Sequence, residues 1–257
     1  MPFRLLTYNI RVGGSGRVEP LARIINAAAP DLVLLQEATR PAVVQELAIK
    51  TGMADWRAFP RQSLGYMSRV PVVHSSWHQP RFSHHAFVEV IPAGSPLHVF
   101  GVHLSAVHAA WTEQRRVWEL RALLRSVARH QQGFHVLAGD FNTLAPGATL
   151  DWRTLPLRLR PFVWLSGGRI RWRTIQTVLD ARYVDTYRRL HPQDPGLTLP
   201  TSQPQIRLDY VFVPEPYVDR VRDCCVVRHA DGVKASDHFP VVADLVVDDA
   251  PQPVLPA

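Results

Sequence analysis

The apolar positions change period several times along the chain, and each change marks an element. Phe3-Arg4-Leu5-Leu6-Thr7-Tyr8-Asn9-Ile10 is strand-like and is ended by Gly13 and Gly14. Leu21, Ile24, Ile25 and Ala28 recur at the spacing of one helix face, and Pro30 stops that helix. Leu32-Val33-Leu34-Leu35-Gln36-Glu37 reads as a strand apolar on both faces that closes in an acid. A short helix over Val43–Lys50 follows, with Gly52 as its cap. Extended stretches are expected at Leu64–Ser68, Val72–Trp77, Ala86–Ile91 and Leu97–His103. Val117, Leu120, Leu124 and Val127 predict a second firm helix, and Phe134–Ala138 another buried strand.

Between Thr143 and Gln205 the chain is rich in Pro, Arg and Trp, and shows one helical stretch around Ile175–Ala181. Strands at Arg207–Val213, Cys224–His229 and Phe239–Val247 complete the pattern. Residues 248–257 carry three prolines and are expected to form a disordered tail. Many strands with few helices argue one α/β domain over residues 1–247, two sheets packed face to face with helices outside.

Composition narrows the class. The chain has 257 residues, 46% apolar and 20% charged, enough to bury a core without crosslinks. Cys224 and Cys225 are adjacent, so on a strand they point to opposite faces and build neither a disulfide framework nor a metal site. There is no apolar run of the roughly 18 residues a membrane span requires, and Met1–Ile10 lacks a signal-peptide pattern. A cytoplasmic location is the default expectation, with secretion after signal removal the alternative. The net charge is +7, and only Lys50 and Lys234 among the basic residues are lysines. Arginine forks match phosphate oxygens, so the excess leans toward a phosphate-bearing partner; a GC-rich genome produces the same bias.

Polar residues recur where apolar strands end. Asn9 closes the first strand, Glu37 the second and His103 a later one. Asp140 and Asn142 follow Val136-Leu137-Ala138-Gly139, Asp209 sits in Arg207-Leu208-Asp209-Tyr210, and Asp237-His238 precede the last strand. Ligands gather where strand ends converge in open sheets. Each residue taken alone has a plainer role: Asn9 and Asn142 as turn caps, Glu37 as a helix cap, Asp209 as a buried hydrogen-bond partner, His103 as a core histidine.

The chain resembles the endonuclease/exonuclease/phosphatase superfamily, also called DNase I-like. The matching pieces are Thr7-Tyr8-Asn9-Ile10-Arg11, Leu35-Gln36-Glu37, Gly101-Val102-His103-Leu104, Gly139-Asp140-Phe141-Asn142-Thr143, Arg207-Leu208-Asp209-Tyr210 and Ser236-Asp237-His238-Phe239-Pro240. They occur in the family's order. The resemblance implies a four-layer α/β/β/α sandwich of two mixed sheets and Mg²⁺-dependent hydrolysis of phosphate esters, with Mn²⁺ or another divalent cation able to substitute. Glu37 is the first choice as direct metal ligand, with Asn9 beside it and Asp237 contributing directly or through water. His238 is the candidate base, its ring held by Asp209. Asp140 would orient or deprotonate the nucleophile, so the base is Asp140 or His238. Asn142 would hydrogen-bond a phosphoryl oxygen, and His103 would stabilise the phosphorane or protonate the leaving oxygen.

Two departures bear on the substrate. Abasic-site endonucleases of the superfamily place a Tyr where Gly101-Val102-His103-Leu104-Ser105 stands, and aromatic residues where this chain reads Leu199-Pro200. The wall for a flipped-out abasic sugar is missing, which favours a less selective phosphodiesterase, most simply a weakly sequence-specific endonuclease on DNA or RNA. Asp151–Arg173 holds six arginines, one acid and Trp152, Trp164 and Trp172. That composition suits nucleic-acid backbone and bases, a lipid headgroup layer, or a segment folded onto the sandwich. The alternative function is accordingly a phospholipid, sphingomyelin or small-molecule phosphoesterase with the same active site. No obligate protein partner is implied.

Overall fold

A computed structural model describes residues 2–59, 61–79, 86–105, 110–127, 133–148 and 172–247. Two six-stranded sheets form its centre. The first contains β1 (Pro2–Asn9), β2 (Leu32–Gln36), β3 (Asp55–Phe59), β4 (Leu64–Ser68), β11 (Val221–Val226) and β12 (Val241–Val246), in the order β11-β12-β1-β2-β4-β3. The second contains β5 (Val72–His78), β6 (Phe87–Pro92), β7 (His98–His103), β8 (His135–Asp140), β9 (Tyr183–Asp185) and β10 (Asp209–Pro214), in the order β5-β6-β7-β8-β10-β9. β1 and β2 are parallel, as are β7 and β8, and the other pairs are antiparallel.

Parallel neighbours require a crossover, usually a helix. Helix α1 (Val18–Ala28) supplies it between β1 and β2, and α3 (Ala110–Val127) between β7 and β8. Helix α2 (Pro41–Thr51) starts with Pro at its first position, where the missing N–H costs nothing, and Gly52 ends it at φ 65°. Helix α1 ends with Ala29 at φ 48°, directly before Pro30.

Alternation along each strand divides the apolar residues into three layers. Leu5, Leu32, Leu34 and Tyr66 of the first sheet meet Val88, Val99, Val136, Ala138 and Val211 of the second. Leu6, Tyr8, Val33 and Leu35 point the other way, under Leu21, Ile24 and Ile25 of α1 and Val44 and Leu47 of α2. On the far side Phe100, Val102, Leu137 and Phe212 lie under Leu120 and Leu123 of α3 and Ile175 and Val178 of α4 (Arg173–Asp180). The result is the expected α/β/β/α sandwich with helices outside. Burying one Leu of this kind contributes about 1.5–3 kcal/mol.

Five elements depart from the sequence expectation. β3 is an edge strand reading Asp55-Trp56-Arg57-Ala58-Phe59, whose mixed polarity hides it. β9 and helix α5 (Thr186–Leu190) are three and five residues long, too short for periodicity to register. Helix α6 (Gly232–Ala235) is one turn. β11 begins at Val221 rather than Cys224, because the antiparallel pairing with β12 starts earlier, at Val221 opposite Leu245. Cys224 is buried between the sheets while Cys225 packs on the outer layer, as adjacent strand residues must. The tail 248–257 and most of Asp151–Arg173 lie outside the described residues, which include only Trp172 and Arg173 of that segment. Among the described residues no helix is long and apolar enough to cross a membrane.

Candidate active site

The inter-sheet layer turns polar at one end. Along β1 the residues facing the second sheet run Leu5, Thr7, Asn9, and along β2 they run Leu32, Leu34, Gln36. Thr7 and Gln36 satisfy each other, Gln36 Nε2 donating to Thr7 Oγ1 at 2.9 Å. Across the second sheet, register places His103 beside Asp140 and Asp140 beside Asp209. Three strand-end residues therefore stand in one row, opposite Asn9. Gly139 makes the row possible: a Cβ there would lie 1.9 Å from the Val102 carbonyl oxygen, so only glycine lets β8 approach β7 this closely.

Hydrogen bonds close the row across both sheets. Asn9 Nδ2 donates to Asp140 Oδ2 at 3.0 Å and to Glu37 Oε1 at 3.3 Å. His238 Nδ1 donates to Asp209 Oδ2 at 2.9 Å, while its Nε2 stands 3.9 Å from Asp140 Oδ2. Asp140 Oδ1 accepts the Asn142 backbone N–H at 2.8 Å, and Asn142 Nδ2 donates to the Leu104 carbonyl at 2.8 Å. Asn142 sits at φ 51°, the left-handed turn that Asn tolerates better than most residues. Ser236 Oγ donates to the Asn9 backbone carbonyl at 2.6 Å and so fastens the Ser236–His238 segment to the end of β1.

Burial and charge set the protonation of this group. Burial opposes a charge on His238, but Asp209, by proximity and hydrogen bond, followed by Asp140 and Asp237, overcomes it and raises the pKa to about 10. Burial also raises the pKa of Asp140, with Asp209 adding to the rise and His238, His103 and Asn9 opposing it. His238 is therefore held as an imidazolium, with the carboxyl groups of Asp209 and Asp140 on its two sides.

Glu37 and Asp237 stand toward the rim. Glu37 accepts from Asn9 and from the Val12 backbone N–H, at φ 57° directly after β2. Asp237 has 38% of its side chain exposed and lies 3.6 Å from Arg11 Nε. Asp140, Asp209 and Asp237 thus act on His238, Glu37 joins them through Asn9, and Asp209 Oδ1 is a buried acceptor with no hydrogen-bond donor among the described residues. Carboxylate oxygens are the hard donors that a divalent cation takes, and Glu37, Asp140, Asp209 and Asp237 are the groups that could offer them. Asp140, Asp209 and His238 also place ligand-capable atoms within 4.8 Å of one another. His238 Nδ1 is already committed to Asp209, so this trio is a hydrogen-bonded acid–imidazole–acid row more than an open ligand set.

The Endonuclease/Exonuclease/phosphatase family profile matches residues 6–238. The chain belongs to this family. Its members are hydrolases of phosphoester bonds. An AP endonuclease from Archaeoglobus fulgidus superposes with a TM-score of 0.73 at 17% identity, over 95% of this chain and 99% of that one. A 3′-5′ exonuclease from Neisseria meningitidis gives 0.72 at 20% identity, over 95% and 99%. An endonuclease/exonuclease/phosphatase from Beutenbergia cavernae gives 0.70 at 24% identity, over 96% of this chain and 72% of that one. At these identities the likeness speaks for the fold. A search of curated protein sequences finds no match.

This endonuclease/exonuclease/phosphatase-family chain supports its site with groups that its motifs do not include. Glu113 and Arg116 of α3 are 1% and 2% exposed. Arg116 Nη2 donates to Glu113 Oε2 at 2.9 Å, and Arg116 Nη1 donates to the Ser105 carbonyl at 2.8 Å. Glu113 also accepts from Thr143 Oγ1 at 3.2 Å and from the Thr174 backbone N–H at 2.7 Å. Ser105 follows His103 by two residues and Thr143 follows Asn142, so one buried ion pair ties both site loops to α3 and α4. In sequence these charges look like an ordinary solvated helix face; the signal available was their i, i+3 spacing in line with Leu120 and Val127. Arg207 grips Asp185 with two hydrogen bonds and stacks 4.5 Å from the Tyr210 ring, and Tyr210 Oη donates to the Thr143 carbonyl at 3.0 Å.

The loop carrying Leu199-Pro200 stands beside this site. Thr201 N–H donates to the Asp237 carbonyl at 2.9 Å, and Phe239 N–H to the Thr198 carbonyl at 2.8 Å. Leu199 packs against Leu144, Ile206 and Leu208, an aliphatic cluster.

Proposed function

We propose that the protein is a divalent-metal-dependent phosphodiesterase that hydrolyses nucleic acid with weak sequence preference. The observation that carries the reading is the continuous acid–amide–imidazole network from Glu37 through Asn9 and Asp140 to His238 and Asp209, which joins both sheets around a surplus of carboxylates. Glu37 and Asp237, with Asn9, would hold Mg²⁺, or Mn²⁺ in its place. A cation bound there would withdraw charge from the phosphate and lower the pKa of its water.

The side chains divide the remaining work. His238, raised to about 10, is charged at neutral pH and suited to hydrogen-bond a phosphoryl oxygen through Nε2. Asp140, its pKa raised chiefly by burial, is the better placed base and takes the proton of the attacking water. The second N–H of Asn142 Nδ2 is available to another phosphoryl oxygen. As the new P–O bond forms, the ester P–O bond breaks and the leaving oxygen takes a proton from His103, which regains one from Asp140 beside it.

Nucleic acid is favoured by the arginine excess and by the company of the fold, which includes a Neisseria 3′ phosphatase bound to a product DNA hairpin. The aliphatic Leu199 cluster in place of an aromatic wall argues against selectivity for abasic sites. The test incubates purified protein with plasmid and single-stranded DNA, with Mg²⁺ or EDTA, beside a phospholipid headgroup-release assay. Mg²⁺-dependent cleavage of DNA that His238→Ala abolishes is expected. Headgroup release without DNA cleavage would replace the substrate, and no metal-dependent hydrolysis of any phosphoester would end the reading.

A further inference from the structure

Helices α3 and α4 lie side by side on the outer face of the second sheet and leave a groove of about 530 Å³ between them. Trp118 and Trp172 line it, 39% and 44% exposed, and among the described residues they are the exposed tryptophans. Arg121, Arg125 and Arg173 line it too. Their neighbours on α3, Arg115 and Arg116, are paired inward with Glu119 and Glu113, whereas these three have no carboxylate partner among the described residues. The single acid of the groove, Asp180, accepts from Gln176 Nε2 at 2.8 Å. Two open indoles and three guanidiniums without a carboxylate thus face one recess, a charge pattern complementary to a polyanion with flat, stackable groups.

Single-stranded nucleic acid has that chemistry. Bases stack on aromatic side chains whatever their identity, and arginines track the backbone. A duplex keeps its bases stacked on each other and offers none to recessed indoles. A lipid headgroup layer is the competing occupant, and vesicle sedimentation separates it from a nucleic-acid strand. The groove is also joined to the candidate active site: Glu113, next to its lining residue Gln114, holds Thr143, and Arg116 holds Ser105. From Gln114 to Arg125, α3 runs away from that site for about 16 Å at ~1.5 Å per residue.

We propose that the α3–α4 groove is an accessory binding site for single-stranded nucleic acid, taking the strand that extends beyond the candidate active site. Bases stack on Trp118 and Trp172, and phosphates pair with Arg121, Arg125 and Arg173. The strand's relation to a scissile bond rests on the nuclease reading; the binding itself does not.

The test measures binding of a fluorescein-labelled oligo(dT) by anisotropy in EDTA, where no cleavage interferes, as a function of salt. Trp118→Ala and Trp172→Ala each weaken binding at least about 5-fold, and oligo(dT) quenches the indole fluorescence of wild type but less that of each variant. Arg121→Glu with Arg125→Glu weakens binding further and lowers the salt slope by about 0.7 for each phosphate that no longer pairs with an arginine. Hydrolysis of bis(p-nitrophenyl) phosphate stays at the wild-type rate in all of these variants, with unchanged melting temperature. Variants that bind oligo(dT) like wild type overturn the proposal, including the case in which DNA is still cut. Variants that lose sedimentation with phosphatidylserine vesicles but keep oligo(dT) also overturn it, in favour of a lipid surface. Groove-dependent binding without metal-dependent DNA cleavage leaves the groove standing and removes the nuclease reading.

Discussion

Arg116→Met tests whether the buried pair beneath the site loops matters. The change keeps an unbranched side chain of useful length and removes the guanidinium. It leaves Glu113 with the Thr143, Thr174 and backbone donors but no cation, and takes the donor from the Ser105 carbonyl. Breaking a buried pair from one side costs roughly 3–5 kcal/mol, since the remaining charge stays desolvated. At about 2–4 °C per kcal/mol for a chain of this size, the melting temperature falls by ~6–20 °C. Activity falls as well, because Ser105 and Thr143 carry the segments of His103 and Asn142, and a displacement of an ångström near reacting groups costs on the order of 10²-fold. The loss appears in kcat for bis(p-nitrophenyl) phosphate, with KM little changed. Glu113→Gln combined with Arg116→Met removes both charges and recovers more than half of the stability lost by Arg116→Met. Circular-dichroism melts and steady-state kinetics provide both readings. A melting temperature within about 1 °C of wild type, or a double variant less stable than the single one, refutes the reasoning.

Gly139→Ala places a methyl group where the Val102 carbonyl stands and costs about 3 kcal/mol, measured by urea unfolding, with a parallel loss of kcat as His103 and Asp140 are forced apart. His238 contributes a pH dependence: its folded pKa of about 10 lies above its ordinary 6.5, so its contribution to stability is complete below pH 6.5 and is lost as pH rises through 10. Metal-free denaturant melts should lose stability over that window, and His238→Gln should flatten the slope. Burial raises the Cys224 thiol to about 12, while Cys225 is only half buried. At pH 8 iodoacetamide should modify Cys225 first and Cys224 only after unfolding, a sequence that peptide mass spectrometry reads directly.

The sandwich and most of the candidate site are legible from local information. Period-two strands announce their faces, and a polar residue at the end of an apolar strand keeps the parity of the core residues before it. Asn9, His103, Asp140 and Asp209 stand at strand ends on the parity of the inter-sheet core, and the resemblance of their motifs to the family is what joined them into one candidate site. β3, β9 and α5 escaped because an edge strand of mixed polarity and elements of three to five residues leave no period to read.

Other features exist only once distant segments meet. The His238–Asp209 bond spans 29 residues and the Ser236–Asn9 bond 227. The imidazolium character of His238 depends on Asp209 and Asp140 from two strands as well as on its own neighbour Asp237. Glu113 and Arg116 carry the pattern of a solvated helix face, yet the tertiary fold buries them under both site loops. Trp172 and Arg173 were legible as part of an arginine- and tryptophan-rich stretch, but their convergence with Trp118, Arg121 and Arg125 was not. Local periodicity determines which face of its own element a side chain occupies. Burial, charge state and partners are sums over neighbours remote in sequence, and only the packed structure decides those.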